Sequence, residues 1–137
     1  MTVQESVKKL ISLVEQHKFL EAIQEFYADD ASMQENNASP RCGLAALLEN
    51  ERKVMASFKE LHVARAQSFI AGEDHAAIRW LFEYTDVKGR RLCLDEVAYQ
   101  HWRDGKIVSE RFFYDPAGML QPSETTGDTL ATAAKGL

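Results

Sequence analysis

The chain has 137 residues, a formal net charge of −5 and 45% apolar side chains, which fits one domain able to build its own core without disulfides or a structural metal. The acidic balance argues against a nucleic-acid partner, because there is no Lys/Arg stripe interleaved with aromatic residues. No apolar run approaches the ~20 residues that span a bilayer, so no membrane segment is expected.

Residues 1–9 are amphipathic, with Glu5 among lysines and no signal-peptide block or cleavage pattern, and a cytoplasmic protein is the expectation. Thr2 and Glu5 have capping-box spacing. Val3, Val7, Leu10, Ile11 and Val14 then recur at helical spacing and predict a first helix. After a break at residues 16–18, Phe19, Leu20, Ile23, Phe26 and Tyr27 continue a second short amphipathic helix. Asp29-Asp30 breaks it, and a short strand ends in the carboxylate of Glu35, at the lip of whatever core the helices cover.

Asn36-Asn37, Ser39-Pro40 and Gly43 are turn formers, so residues 36–43 read as loop. A third helix is expected over residues 44–58, with Leu44, Leu47, Leu48, Val54, Met55 and Phe58 on its buried face. Glu51 falls inside that stripe. Two readings are open for it, an edge glutamate that keeps its head in water and a second carboxylate turned into the interior.

Everything after Glu60 is strand-like. Residues 61–71, 75–85, 92–103 and 106–114 are rich in β-branched and aromatic side chains, separated by Gly72-Glu73-Asp74, Lys88-Gly89 and Asp104-Gly105. Three consecutive hairpins make an antiparallel meander, and helices followed by a meander predict an α+β fold. Residues 1–120 form the domain. Residues 121–137, rich in Thr, Ala and Gly with no apolar period, read as a flexible tail, with folding across a pocket mouth or a partner subunit as the alternative.

Turn chemistry assigns the two sheet faces, because side chains alternate along a strand. A two-residue Lys88-Gly89 turn sets residue 79 against 98, and a three-residue Arg103-Asp104-Gly105 loop sets 98 against 110. One face then carries Arg79, Glu96, Ala98, Gln100, Trp102, Glu110, Phe112 and Tyr114, and the other carries Ile78, Trp80, Phe82, Tyr84 and Phe113. Helices cover only one face of a sheet. An uncovered aromatic face marks an interface, and a homodimer through Trp80, Phe82 and Phe113 is expected. Hydrophobicity alone would instead make the Trp80/Phe82 face the core.

Cys42 and Cys93 are far apart and read as reduced thiols. His17, His62, His75 and His101 have no metal-ligand spacing to another His or a Cys, so no metal site is expected, and no cofactor. Gly-rich phosphate loops and nucleophile elbows are absent, which disfavours phosphoryl transfer and serine hydrolysis.

The passage Phe26-Tyr27-Ala28-Asp29-Asp30-Ala31-Ser32-Met33-Gln34-Glu35 resembles the helix-to-strand passage of the nuclear-transport-factor-2-like superfamily, which includes ketosteroid isomerase and the SnoaL-like polyketide cyclases. The resemblance implies a cone-shaped, curved antiparallel sheet packed against three N-terminal helices around a pocket. It puts the general base of the isomerase on Glu35, and the face bearing Arg79, Gln100, Trp102, Glu110, Phe112 and Tyr114 on the pocket, with Tyr27 beside it. The isomerase's two oxyanion donors fall on Ile11 and Ala98, which can donate nothing. Losing such a donor costs on the order of 2.7–4 kcal/mol of transition-state stabilisation, so steroid isomerisation itself is not expected. The Asp104-Gly105-Lys106-Ile107 turn and the strand ending Tyr114-Asp115 resemble the cyclases, where an acidic residue near Asp115 is an acid/base. Asp115-Pro116 also reads as a plain strand-end turn.

The expected activity is therefore cofactor-independent proton transfer on a hydrophobic, carbonyl-bearing small molecule, with Glu35 as base and Tyr114, then Gln100, as donors to the developing oxygen. A non-catalytic small-molecule binder of the same fold and a protein-interaction module remain open. Glu35 could also simply pair with Arg41, and Trp102, Phe112 and Tyr114 could be ordinary core aromatics.

Overall fold

A computed structural model describes residues 1–120; the tail expected over residues 121–137 lies outside the described residues. The elements in chain order are α1 (Val3–Glu15), α2 (Phe19–Phe26), β1 (Tyr27–Glu35), β2 (Arg41–Cys42), α3 (Leu44–Ala56), β3 (Phe58–Ala71), β4 (His75–Asp86), β5 (Arg91–Arg103) and β6 (Lys106–Phe113), followed by a single 3-10 turn, Pro116–Gly118. Thr2 caps α1 by accepting the Glu5 N–H at 3.1 Å. His17, at φ 65°, ends that helix in the left-handed region, and the Lys18 N–H returns to the Leu13 carbonyl. That is the break read at residues 16–18. Tyr27, expected as the end of the second helix, instead opens β1 in an extended conformation.

Six strands form one sheet in the order β2-β1-β6-β5-β4-β3. The meander from β3 to β6 is antiparallel as expected, but β1 lies parallel to β6, so the sheet is mixed. Register shifts along β3 bend the far side of the sheet. The three helices cover the concave face, where Val7, Leu10, Val14, Ala22, Ile23 and Phe26 pack on Ile78, Trp80, Ala98, Trp102 and Ile107.

One loop corrects the expected faces. The β4–β5 connection is a three-residue loop, Val87-Lys88-Gly89, closed by the Asp86 N–H on the Arg90 carbonyl at 2.9 Å. The Asp86 carboxylate accepts from the Lys88 and Arg90 N–H groups and from Arg90 Nε at 2.7 Å, and Gly89 supplies φ 83°. One extra residue flips every β4 side chain. Trp80 therefore stands opposite Glu96 and Phe82 opposite Leu94, both turned inward, while Arg79 points out and pairs with Asp95 at 2.7 Å. The proposed dimer face loses Trp80 and Phe82; among its named residues only Phe113 remains on the outer surface. The core assignment that hydrophobicity alone suggested for Trp80 and Phe82 is the observed one.

The β5–β6 turn is the two-residue type, Asp104 at φ 52° and Gly105 at φ 78°, not the three-residue loop. An irregularity at Val108 adds back a residue, so Gln100 faces Glu110 and Ala98 faces Phe112. The partners slide by two positions and the faces survive.

Candidate functional site

A cavity of about 190 Å³ lies between the three helices and the concave face of the sheet. Its walls are largely apolar, from Leu10 and Val14 of α1 and Ile23 of α2 to Trp80, Phe82 and Phe112 of the sheet. Four glutamates interrupt them: Glu35 at the end of β1, Glu51 on α3, Glu96 on β5 and Glu110 on β6.

Glu35 is exposed and stands at the mouth. Tyr114 Oη donates to its Oε1 at 3.3 Å. Tyr114 follows β6 directly and is pinned by its backbone N–H on Asn36 Oδ1 at 3.0 Å, while Asn36 N–H returns to the Phe112 carbonyl and Arg111 Nε donates to the Asn36 carbonyl. The ends of β1 and β6 are thus stitched together, and the acid meets the phenol there. Desolvation, with the charge of Glu35 second, pushes the Tyr114 pKa up to about 12, so this group stays a donor across the physiological range. No ion pair joins Glu35 to Arg41 among the described residues, although Arg41, held by the β1–β2 pair, also lines the cavity.

Deeper in, four buried side chains form a chain of hydrogen bonds. Trp102 Nε1 donates to Gln100 Oε1 at 3.0 Å, Gln100 Nε2 donates to Glu110 Oε2 at 2.7 Å, and Tyr27 Oη donates to Glu110 Oε1. Both carboxylate oxygens are served, as a buried polar network requires. Burial raises the Glu110 pKa to about 7, while the bonds from Tyr27 and Gln100 pull it down. Burial dominates the other two inward carboxyls as well. It takes Glu51 to about 7 with help from the charge of Glu35, and Glu96 to about 8 with help from Glu110, Glu35 and Glu51.

Of the residues named from sequence, Glu35, Tyr27, Gln100, Glu110 and Phe112 line the cavity and Tyr114 touches Glu35. Trp102 sits beneath the lining, edge-on to Phe26 with ring centroids 6.0 Å apart, and reaches the site through Gln100. Arg79 does not belong to it, because the β4 face is flipped. Ile11 packs at the core and Ala98 is fully buried, so neither supplies a donor. Asp115 accepts the Ala117 N–H at 3.0 Å and caps the 3-10 turn, the strand-end role. Glu51, open in the sequence between an edge and an interior position, and Glu96, read onto the pocket face without a role of its own, both line the cavity. The signals were present: Glu51 interrupts an apolar helix stripe, and Glu96 shares parity with Gln100 on one strand.

A family model described as a SnoaL-like domain matches residues 1–114. Among solved structures, a protein of Mesorhizobium loti provisionally described as a SnoaL-like polyketide cyclase is 28% identical with a TM-score of 0.72, over 83% of this chain and 100% of that one. A protein of unknown function with a cystatin-like fold from Xanthomonas campestris is 21% identical with a TM-score of 0.72, over 83% and 91%. A further provisional SnoaL-like polyketide cyclase, from Jannaschia, is 13% identical with a TM-score of 0.70, over 81% and 83%, and shares the fold. No curated protein matches the chain. With the family model covering nearly all of the described residues, the chain belongs to the SnoaL-like domain family.

Proposed function

We propose that this protein is a small cofactor-independent enzyme that moves a proton on a hydrophobic, carbonyl-bearing small molecule, with Glu35 as the base. The observation that carries this is geometric: Glu35 stands at the mouth of an apolar cavity with Tyr114 bonded to it, and three further carboxyls line the same space. Tyr114 aligns the Glu35 carboxylate, and Gln100, held between Trp102 and Glu110, lines the same cavity. Two similar structures provisionally described as polyketide cyclases are consistent with carbonyl substrates.

The test is α-deuteration. The protein is incubated in heavy water with a panel of ring ketones, and exchange next to the carbonyl is followed by NMR. Glu35→Gln should lower exchange by about 10²–10⁴-fold, the usual worth of a general base. Full exchange in that variant overturns the base assignment. A second reading, a non-catalytic binder, draws on the absence of donors at Ile11 and Ala98; ligand binding with no exchange above buffer would select it. The proposal includes a cytoplasmic setting and a pair of chains joined through the outer sheet face, where Val97, Tyr99 and Phe113 are exposed. Sedimentation as a monomer at micromolar concentration would remove the pairing.

A further inference from the structure

The cavity carries more acid than a proton transfer needs. Glu35, Glu51, Glu96 and Glu110 line it, and Arg41 is the one Lys or Arg in the lining among the described residues. Glu110 is accounted for by Tyr27 and Gln100, and Glu35 has Tyr114. Glu96 is different. It is 7% exposed, turned into the cavity opposite Trp80, and makes no hydrogen bond or ion pair among the described residues. No buried side-chain oxygen among the described residues is sealed off without a partner, so the Glu96 oxygens open onto the cavity, where a largely desolvated carboxylate gains from a ligand that donates to it.

Proton abstraction beside a carbonyl leaves negative charge on the substrate, and neighbouring carboxylates would repel it. A ligand that brings its own positive charge relieves both problems. An inorganic ion does not fit, because among the described residues the one His/Cys/Asp/Glu set close enough to share an ion is Asp74, His75 and His101, none of which lines the cavity. The cavity glutamates are spread more widely, in a lining that also holds the aromatic side chains of Trp80, Phe82 and Phe112. Such walls attract an organic ammonium. A volume of about 190 Å³ compares with the ~150 Å³ that takes up benzene in an engineered cavity. One ring and a short chain fit.

We infer that the substrate is a ring-bearing molecule carrying a protonated amine, and that the ammonium seats on Glu96 beside Trp80. This rests on the proton-transfer reading of the same cavity. The groups facing Glu96 are Glu110 on β6, Glu35 and Tyr27 on β1, Glu51 on α3, Tyr84 on β4 and Arg41 on β2. An ammonium favours the ionised form of the cluster, so its binding releases protons and tightens as pH rises. A neutral ligand that accepts a hydrogen bond from protonated Glu96 does the reverse.

The experiment is calorimetry of the whole chain at about pH 6 and about pH 8.5, on either side of the glutamate range, with 2-phenylethylamine, its neutral isostere 2-phenylethanol, and acetophenone. The amine should bind on the order of tenfold more tightly than the alcohol at the higher pH, gain affinity from the lower pH to the higher, and release protons in buffers of differing ionisation enthalpy. Glu96→Gln should remove most of the amine's preference over the alcohol and lessen its pH slope, with Glu51 and Glu110 keeping the remainder. Glu51→Gln, on the opposite wall, should reduce the preference less, and circular dichroism checks both folds. Equal affinity for amine and alcohol, amine affinity that falls with pH, or an unaltered preference in a folded Glu96→Gln protein overturns the inference. If acetophenone binds and the amine does not, the ligand class fails while the proton-transfer reading stands. If none of the three binds, both fail.

Discussion

Gln100 stands directly opposite Glu110 across the β5–β6 pair, and its amide closes on the Glu110 carboxyl at 2.7 Å. The same amide accepts the Trp102 indole, so a tryptophan below the cavity orients an acid that lines it. A cross-strand pair is the usual unit of sheet stabilisation; here it also fixes the deepest polar group of the site.

Tyr27→Phe should show what the other arm of that network is worth. The tyrosine hydroxyl lowers the Glu110 pKa by bonding its ionised form, so its removal should raise that pKa and cost more stability at pH 8 than at pH 6. A loss of about 1–3 kcal/mol is expected where Glu110 is ionised. Chemical denaturation at the two pH values measures it, and an equal loss at both would contradict the role.

The free protein should lose stability as pH rises towards 8. A glutamate in the unfolded chain ionises near ~4.3, whereas Glu51 and Glu110 do so at about 7 and Glu96 at about 8 in the fold. Between those limits the folded state binds more protons than the unfolded one. The stability contributed by these groups is full below the unfolded pKa and is lost through the folded values, at about 1.4 kcal/mol per pH unit for each group between them. Glu96→Gln should flatten the slope and raise the melting temperature at pH 8. A melting temperature that is level from pH 5 to pH 8 would count against the burial of these acids.

Tyr114→Phe should act on the chemical step. The phenol donates to Glu35 and does not line the cavity, so kcat for ketone exchange should fall by less than in Glu35→Gln while KM stays within about twofold. A change in KM alone would make Tyr114 a binding residue.

Arg79→Ala should leave ligand affinity and exchange rate unaltered. Its guanidinium is on the outer face with Asp95, and exposed ion pairs contribute little. A weakened ligand would restore it to the site and bring the β4 register into question.

The order of the helices and of the five longer strands, the break at His17 and the inward set Glu96, Gln100, Glu110 and Phe112 were legible in the sequence, because apolar period and turn residues report local structure, whereas the two-residue β2 fell in residues read as loop. The face of β4 was not. It hangs on one residue of loop length, and the Asp86 side chain that closes the longer loop gives no periodic signal. The parallel docking of β1 on β6 was likewise invisible, since no local pattern records which distant strand completes an edge. The imidazoles of His75 and His101 illustrate the same limit. They stack with centroids 4.4 Å apart because the register sets them opposite each other, although 26 positions separate them in the chain (101 minus 75). Spacing rules for ligands presuppose neighbours along the chain.

The pairing of β1 with β6 also decides when the site comes into being. Tyr27 and Glu110 are 83 positions apart, and β1 has no neighbour but the two-residue β2 until β6 exists. A growing chain that has emerged only through β5 holds the helices, β1 and most of the meander, yet it lacks the strand that joins them. Closing so long a loop comes late in folding. The cavity is thus among the last features to form, and a chain that stops short of β6 would leave β1 unpaired with the meander and the part of the apolar core that Ile107 completes open to solvent, where it would be handled as unfinished protein.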